Sequence, residues 1–306
     1  MLKIVFMGSP EFAVPSLERL HHSHHEILAV ATNADKRRGR GGDLQPTAVK
    51  KKAKEFGYSV IDVDSVTDAG FQAALERLDP DLFVVVAFRI LPAKLLTIPS
   101  AGAVNLHASL LPKYRGAAPI HWAVINGEPE TGCSVFFLEE KVDTGAVIRQ
   151  VRTRTGPNET TGDLYHRLKM MGADLLVESL DLIEKDRVEG VPQDESAASR
   201  APKLFRDDAR VNFRKSSQEV HNFIRGMSPS PCAWANYGNL QLKLYRSKAG
   251  PDIELDPGEL LFAEGRYLLA GCSRGSVELT ELQLPGKPKI SGRDFANGYN
   301  LDKGLK

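Results

Sequence analysis

The chain has 306 residues, 42% of them apolar, with 40 Lys plus Arg against 39 Asp plus Glu. That length predicts two domains of about 100–200 residues each, and the apolar content excludes general disorder. The longest apolar run, Leu82–Phe88, is far short of the ~20 residues that span a bilayer, and the first strand opens at Leu2 without a signal-peptide pattern. A cytoplasmic protein with no membrane partner is therefore expected, and its three widely spaced cysteines fit reduced thiols better than disulfides or zinc.

Along the chain, Leu2–Met7 reads as a buried strand, Pro10–His22 as a helix and Ile27–Thr32 as a strand. The turn between the first two carries one glycine, Gly8, where a dinucleotide fingerprint needs three, which disfavours NAD or FAD. His21-His22-Ser23-His24-His25 has no carboxylate or cysteine nearby in a known ligand spacing, so a solvated helix end is expected there and no metal. From Lys36 to Lys54 the chain holds eight cations and one acid, Asp43, a net charge of +7. A solvated face and a nucleic-acid loop compete for that window, because glycines beside Arg38 and Arg40 leave a backbone that can adapt to phosphates.

Helices follow at Pro46–Phe56 and Asp68–Leu78, then strands at Leu82–Phe88 and Ala103–His107, a helix at Ile120–Asn126, and strands at Cys133–Leu138 and Val147–Val151. Continuous apolar runs such as Leu82–Ala87 suit strands buried on both faces. The expected fold is α/β, a Rossmann-like open and mostly parallel sheet with its site at the carboxyl ends of the strands. A long helix from about Thr160 to Lys185 leads to Val191–Pro202, which has no apolar period and reads as a linker. One more helix, Ser216–Gly226, precedes short runs at Ala233–Tyr237, Leu240–Tyr245, Arg266–Ala270 and Ser276–Leu284, which suggest a small β-barrel. From Asp207 to the last residue there are 14 cations and 12 acids, so this second domain is only weakly basic.

The densest chemistry lies at Asn105-Leu106-His107-Ala108-Ser109-Leu110-Leu111-Pro112. Asn105 and His107 are two apart on a strand and so point to one side. Asp143 follows in the turn Val142-Asp143-Thr144-Gly145. An amide donor, an imidazole and a carboxylate suit acyl transfer to an amine, which needs no Ser or Cys nucleophile because the amine attacks for itself. Chance proximity in an unrelated core is the competing reading.

Ser109-Leu110-Leu111-Pro112 followed by Arg115-Gly116, with Asn105-x-His107 before it, resembles the signature of formyltransferases that use 10-formyltetrahydrofolate. The longer text through Ala117-Ala118-Pro119-Ile120, Glu130-Thr131-Gly132 and Val142–Gly145 is most similar to the branch that acts on methionyl-tRNA. Gly39-Arg40-Gly41 resembles that branch's loop for the acceptor arm, while Ala201-Pro202-Lys203-Leu204, Gly226-Met227-Ser228-Pro229 and Pro231-x-x-Trp234 resemble its link into an OB-like domain. The resemblance implies a catalytic domain over 1–189, a linker over 190–208 and an OB-like tRNA-binding domain over 209–306. It also implies catalysis by Asn105, His107 and Asp143, a tetrahydrofolate pocket at Ser109, Leu110, Leu111 and Pro112, and tRNA contacts from Arg37, Arg38 and Arg40. The implied donor is 10-formyltetrahydrofolate and the implied acceptor initiator methionyl-tRNA, handled by a monomer without a metal. Within the same chemistry, a sugar-nucleotide amine as acceptor or simple formyl hydrolysis is the alternative. A non-catalytic tRNA-binding protein on the same fold is the rival of another class. Two departures stand out. Arg37-Arg38 replaces a common Pro-Ala pair, and Arg89 follows Phe88 where the family often has glycine; Arg89 is expected to point to solvent.

Overall fold

The computed structural model describes residues 1–38 and 42–306. The chain divides into two compact units: Met1–Gly116 with Gly132–Thr153 and His166–Arg200, and Ala117–Thr131 with Arg154–Tyr165 and Ala201–Lys306.

The first unit is built on a seven-stranded sheet. Its strands are β1 (Lys3–Gly8), β2 (Glu26–Asn33), β5 (Val60–Val63), β6 (Leu82–Val86), β7 (Ala103–His107), β8 (Glu130–Phe137) and β9 (Val147–Arg154). Their order is β5-β2-β1-β6-β7-β8-β9; β1, β2, β5, β6 and β7 run parallel and β8 runs against β7. Helices α1 (Val14–His21), α2 (Ala48–Glu55), α3 (Ala69–Leu78) and α4 (Ala93–Leu96) fill the crossovers. Both faces are covered, because every residue of β6 is buried, as its unbroken apolar text requires. On one face Val5, Met7, Phe83 and Val85 pack against Phe71 and Leu75 of α3 and Leu95 of α4. β6 stops at Val86 rather than Phe88 because Ala87 turns into the left-handed region at φ +49°. A second, two-stranded ladder of β3 (Lys36–Arg38) and β4 (Asp43–Gln45) was not legible in the sequence.

The second unit contains α5 (Pro119–Ile125), α7 (Ser217–Met227) and α8 (Gly292–Gly298), while α6 (Thr161–Glu184) begins within it and continues through residues of the first. Its OB-like antiparallel sheet runs β10-β11-β14-β13-β12, from Ala233–Tyr237, Leu240–Ala249, Ser276–Gln283, Tyr267–Gly271 and Leu260–Ala263, with β15 (Ile290–Ser291) on β14. Val220, Ile224 and Met227 of α7 pack onto Leu242, Leu244 and Leu279 of this sheet. A capping box starts α7: Ser216 Oγ accepts the Glu219 N–H while the Glu219 side chain takes the Ser216 N–H. Buried His221 on the same helix meets Ser247 Oγ at 2.8 Å through Nδ1 and donates from Nε2 to the Pro157 carbonyl at 2.9 Å.

Two stability measurements follow from α7. Ser216→Ala removes the cap and should cost about 1 kcal/mol, read as a lower urea midpoint that Ser216→Thr largely restores. Burial, then nearby Arg225, push the His221 imidazole below the ordinary value of 6.5. A depressed folded value means the unfolded chain takes up its proton first. The stability from neutral His221 is thus complete above pH 6.5 and lost as pH falls through the folded value. The His221→Asn variant should show a flatter midpoint-against-pH curve below that point; a slope equal to that of the parent chain would refute the assignment.

Candidate active site

β7 sets the direction of the key side chains. Asn105 lies between Val85 of β6 and Phe136 of β8, and His107 pairs with Ser134. Leu106 points the other way, toward Gly172 of α6, where an added Cβ would sit 2.9 Å from a Leu106 methyl. Asn105 and His107 therefore share the opposite face. Among the described residues, none bonds the Asn105 side-chain amide, so its N–H groups are free for a ligand.

Beyond β7 the chain makes a tight loop. Buried Ser109 donates from Oγ to the Lys113 carbonyl at 2.6 Å, the Leu111–Pro112 bond is cis, and Tyr114 and Gly116 take φ +62° and +124°. Ser134 Oγ donates to the Ser109 carbonyl at 2.7 Å and accepts from Leu111 N at 3.0 Å. Gln150 Nε2 donates to the Leu111 carbonyl at 2.8 Å and to Ser134 Oγ at 2.9 Å. Leu110 and Pro112 remain half-exposed on this stapled backbone, whereas the Ser109 hydroxyl is committed internally. Gly132 permits the arrangement, since a Cβ there would fall 1.9 Å from the Val151 carbonyl and 2.7 Å from a Leu110 methyl.

The imidazole of His107 is 6% exposed, and its Nε2 lies 2.8 Å from the Tyr114 carbonyl. A carbonyl only accepts, so Nε2 carries the proton and the neutral ring keeps its lone pair on Nδ1. That nitrogen faces Asp143 Oδ2 at 3.8 Å, too long for a hydrogen bond but close enough to stabilise an imidazolium. Asp143 itself is 8% exposed, sits at φ +56° and accepts the Gly116 N–H at 2.8 Å. Gly145 is required beside it, because a Cβ would stand 1.8 Å from the Phe137 carbonyl. Asn105, His107 and Asp143 thus all belong to the first unit, with Tyr114, not Asp143, holding the ring.

Residues without a sequence signal complete the frame. Gln193 donates to the Asp143 and Gly145 carbonyls at 2.9 and 2.8 Å, and its side-chain oxygen receives the Arg115 guanidinium, which also pairs with Glu195. Ser199 accepts from Tyr114 N through Oγ and from Arg115 N through its carbonyl, both at 2.9 Å. The stretch 191–200 has no apolar period because its work is polar: it ties the His107 loop to the Asp143 turn.

Arg37 is exposed in β3 opposite Leu44, Arg38 lies at the end of that strand, and Arg40 falls outside the described residues. Not every cation of the basic window is available to a partner. Lys50 is 6% exposed between Asp35 and Asp62, each 2.8 Å away, and Lys52 pairs with Glu18 and Glu55. The expectation that Arg89 points to solvent is overturned: it is half-buried and donates to Asn33 Oδ1 and to the Asp64 carbonyl.

The histidine run is also no solvated end. His21 stacks on Phe56 at 3.9 Å and bonds the Tyr58 hydroxyl, while the fold brings Asp181 and Glu184 of α6 to His24 and His25. His25 Nδ1 receives the Leu2 N–H, so its Nε2 carries a proton toward Asp181 and offers no lone pair to a metal in this tautomer. All three cysteines are buried and free, and burial pushes the Cys133 thiol up to about 12.

Comparison with known proteins agrees with this geometry. The profile of the family described as "Formyl transferase" matches residues 2–180, and that of "Formyl transferase, C-terminal domain" matches residues 203–300. A methionyl-tRNA formyltransferase of Chlorobium phaeovibrioides is 42% identical, with 99% of this chain and 97% of the relative aligned. One from Pelotomaculum thermopropionicum is 41% identical, with 99% and 98% aligned. Among solved structures, the sugar 3N-formyl transferase WlaRD, described with dTDP and 5-N-formyl-THF, has a TM-score of 0.69 at 21% identity, over 94% of this chain and 99% of that one, a likeness of fold. The chain belongs to the formyl transferase family, among the methionyl-tRNA formyltransferases.

Proposed function

We propose that this chain transfers the formyl group of 10-formyltetrahydrofolate to the α-amine of initiator methionyl-tRNA. The observation that carries the reading is the pairing of an unbonded Asn105 amide with a His107 Nδ1 lone pair that faces buried Asp143. The loop suits a folate: Leu110 and Pro112 give half-exposed apolar surface on a rigid backbone that follows β7, the strand that carries Asn105. When bound, the donor supplies a one-carbon unit at the formyl oxidation level. Attack by the amine would form a carbon–nitrogen bond as the bond to N10 breaks, and the proton the amine loses would pass by way of His107 to N10, so that tetrahydrofolate leaves and the imidazole returns to its neutral form.

Asn105 donates to the carbonyl oxygen that gains charge, an effect of about 3 kcal/mol in good geometry. His107 takes the amine proton at Nδ1, because Nε2 is already spent on Tyr114. Asp143 then faces an imidazolium and lowers its energy without accepting the proton. Arg37, Arg38 and Arg40 of the basic window contact tRNA phosphates, and the 209–306 domain adds tRNA-binding surface to the 1–189 catalytic domain. The reaction is placed in the cytoplasm and in a monomer. A sugar-nucleotide acceptor is supported by fold likeness at 21–22% identity, against 41–42% over nearly the full length for relatives that carry the tRNA name.

The test is transfer of radiolabelled formyl from 10-formyltetrahydrofolate to charged initiator tRNA, run beside elongator methionyl-tRNA and an amino-sugar nucleotide. Label is expected on the initiator alone; label on the sugar, or released as formate, would overturn the acceptor. In the same assay Asn105→Ala should lower kcat about 10²–10³-fold with little change in donor affinity.

A further inference from the structure

Asp143 is gripped at both ends, and the two grips meet in one short segment. Its carboxylate accepts the Gly116 N–H at 2.8 Å, and its main-chain carbonyl accepts from Gln193 Nε2 at 2.9 Å. Gln193 also donates to the Gly145 carbonyl at 2.8 Å, so one amide closes the turn from Asp143 to Gly145. Its side-chain oxygen receives Nε and Nη2 of Arg115 at 3.1 and 2.8 Å. Arg115 precedes Gly116 and follows Tyr114, whose carbonyl holds His107 Nε2. Residues 114–116 therefore fix the imidazole, the carboxylate and, by way of Gln193, the backbone that carries the carboxylate.

These bonds leave Gln193 nothing to offer a substrate. Both amide hydrogens and the oxygen are engaged, and the partners dictate which way round the amide lies, since carbonyls only accept and a guanidinium only donates. Glu195 in turn answers the charge of Arg115 and fixes the far end. The turn needs such a hold. Asp143 takes a left-handed backbone at φ +56° while buried, a conformation that persists where the surroundings over-determine it. Asp79 and Asp186 share that conformation, but both are exposed. At stake is the 3.8 Å between His107 Nδ1 and Asp143 Oδ2. A displacement of about 1 Å in a reacting constellation is enough to cost a large factor in rate.

We propose that Gln193 is a positioning residue for formyl transfer, one that acts through Asp143 by holding its carboxylate within reach of a protonated His107. The inference rests on the reading of the preceding subsection, in which His107 takes the amine proton. The Gly116 N–H alone fixes one carboxylate oxygen and leaves the peptide behind it free to turn; Gln193 removes that freedom. A residue 50 positions past Asp143, in a polar stretch without apolar period, thereby governs the chemical step without touching either substrate.

The experiment compares single-turnover rates of formyl transfer to charged initiator tRNA in the parent chain, Gln193→Met, Asp143→Asn and the double variant. Donor and tRNA affinities are measured alongside. Gln193→Met keeps the length of the side chain and removes its amide. It should lower the rate about tenfold and leave both affinities within about twofold of the parent. In the Asp143→Asn background the same change should alter the rate by less than about twofold, because the charge that Gln193 places is already gone. A purely structural role would slow both backgrounds by one common factor, and that result would overturn the proposal. Weakened donor or tRNA binding with the rate at saturation unchanged would overturn it too, by assigning Gln193 to a substrate. Gln193→Asn, which keeps an amide one methylene shorter, carries the same comparison if Gln193→Met does not fold. Transfer at the parent rate by each Gln193 variant that folds would likewise count against the proposal, with the tRNA reading intact. Failure of the parent chain to formylate tRNA at all would remove that reading and this inference with it.

Discussion

A buried carboxylate is the constraint on which the site depends. Asp143 is almost withdrawn from water, and an ion in that position destabilises the fold unless hydrogen bonds or an opposite charge answer it. The Gly116 N–H answers it in the resting chain, and in the proposed reaction a protonated His107 would answer it during turnover. For both to reach it, the backbone must turn sharply twice. Asp143 sits in the left-handed region, Gly116 has positive φ, and Gly145 passes too close to the Phe137 carbonyl for any side chain. Gln193 holds the Asp143 turn and Ser199 the Tyr114–Arg115 segment, while Ser134 and Gln150 staple the Ser109–Leu111 backbone before it.

The same logic separates holding from reacting. His107 is aimed by a backbone carbonyl, which fixes the tautomer and leaves Nδ1 open toward Asp143, the arrangement the proposed proton transfer requires. Asn105 keeps its amide free because its strand neighbours, Val85 and Phe136, offer it nothing polar from their side chains. At the same edge of the parallel strands, the basic hairpin leaves β2 with its root secured by Lys50 between two acids and by Arg89 on Asn33. Chemistry at the end of β7 and charge at the ends of β2 and β6 therefore share one rigid sheet.

The sequence showed most where physics is local. The apolar run of β6, the alternation of strands and helices, and the two-residue spacing of Asn105 and His107 were legible because burial and side-chain direction follow from pattern alone. The extent of elements was less so: Ala87 looks like strand but turns, and the short β3–β4 ladder is polar and carries no apolar signal. What escaped depends on distant partners. His24 and His25 meet acids some 160 positions away on α6, Lys50 is buried by carboxylates on two strand ends, and the polar stretch around Gln193 reads as a linker until its acceptors are in place. Arg89 shows the same limit, because only the fold brings Asn33 and Asp64 within its reach.

The most direct test of the account is the single-turnover rate of formyl transfer to charged initiator tRNA in Asp143→Asn. The amide oxygen can still accept the Gly116 N–H, so the turn survives while the negative charge is removed. The account predicts a rate lower by about a hundredfold or more, with donor and tRNA binding retained, because His107 loses the charge that stabilises its protonated form. A variant that transfers formyl at the parent rate would contradict it, and would leave Asp143 a purely structural residue.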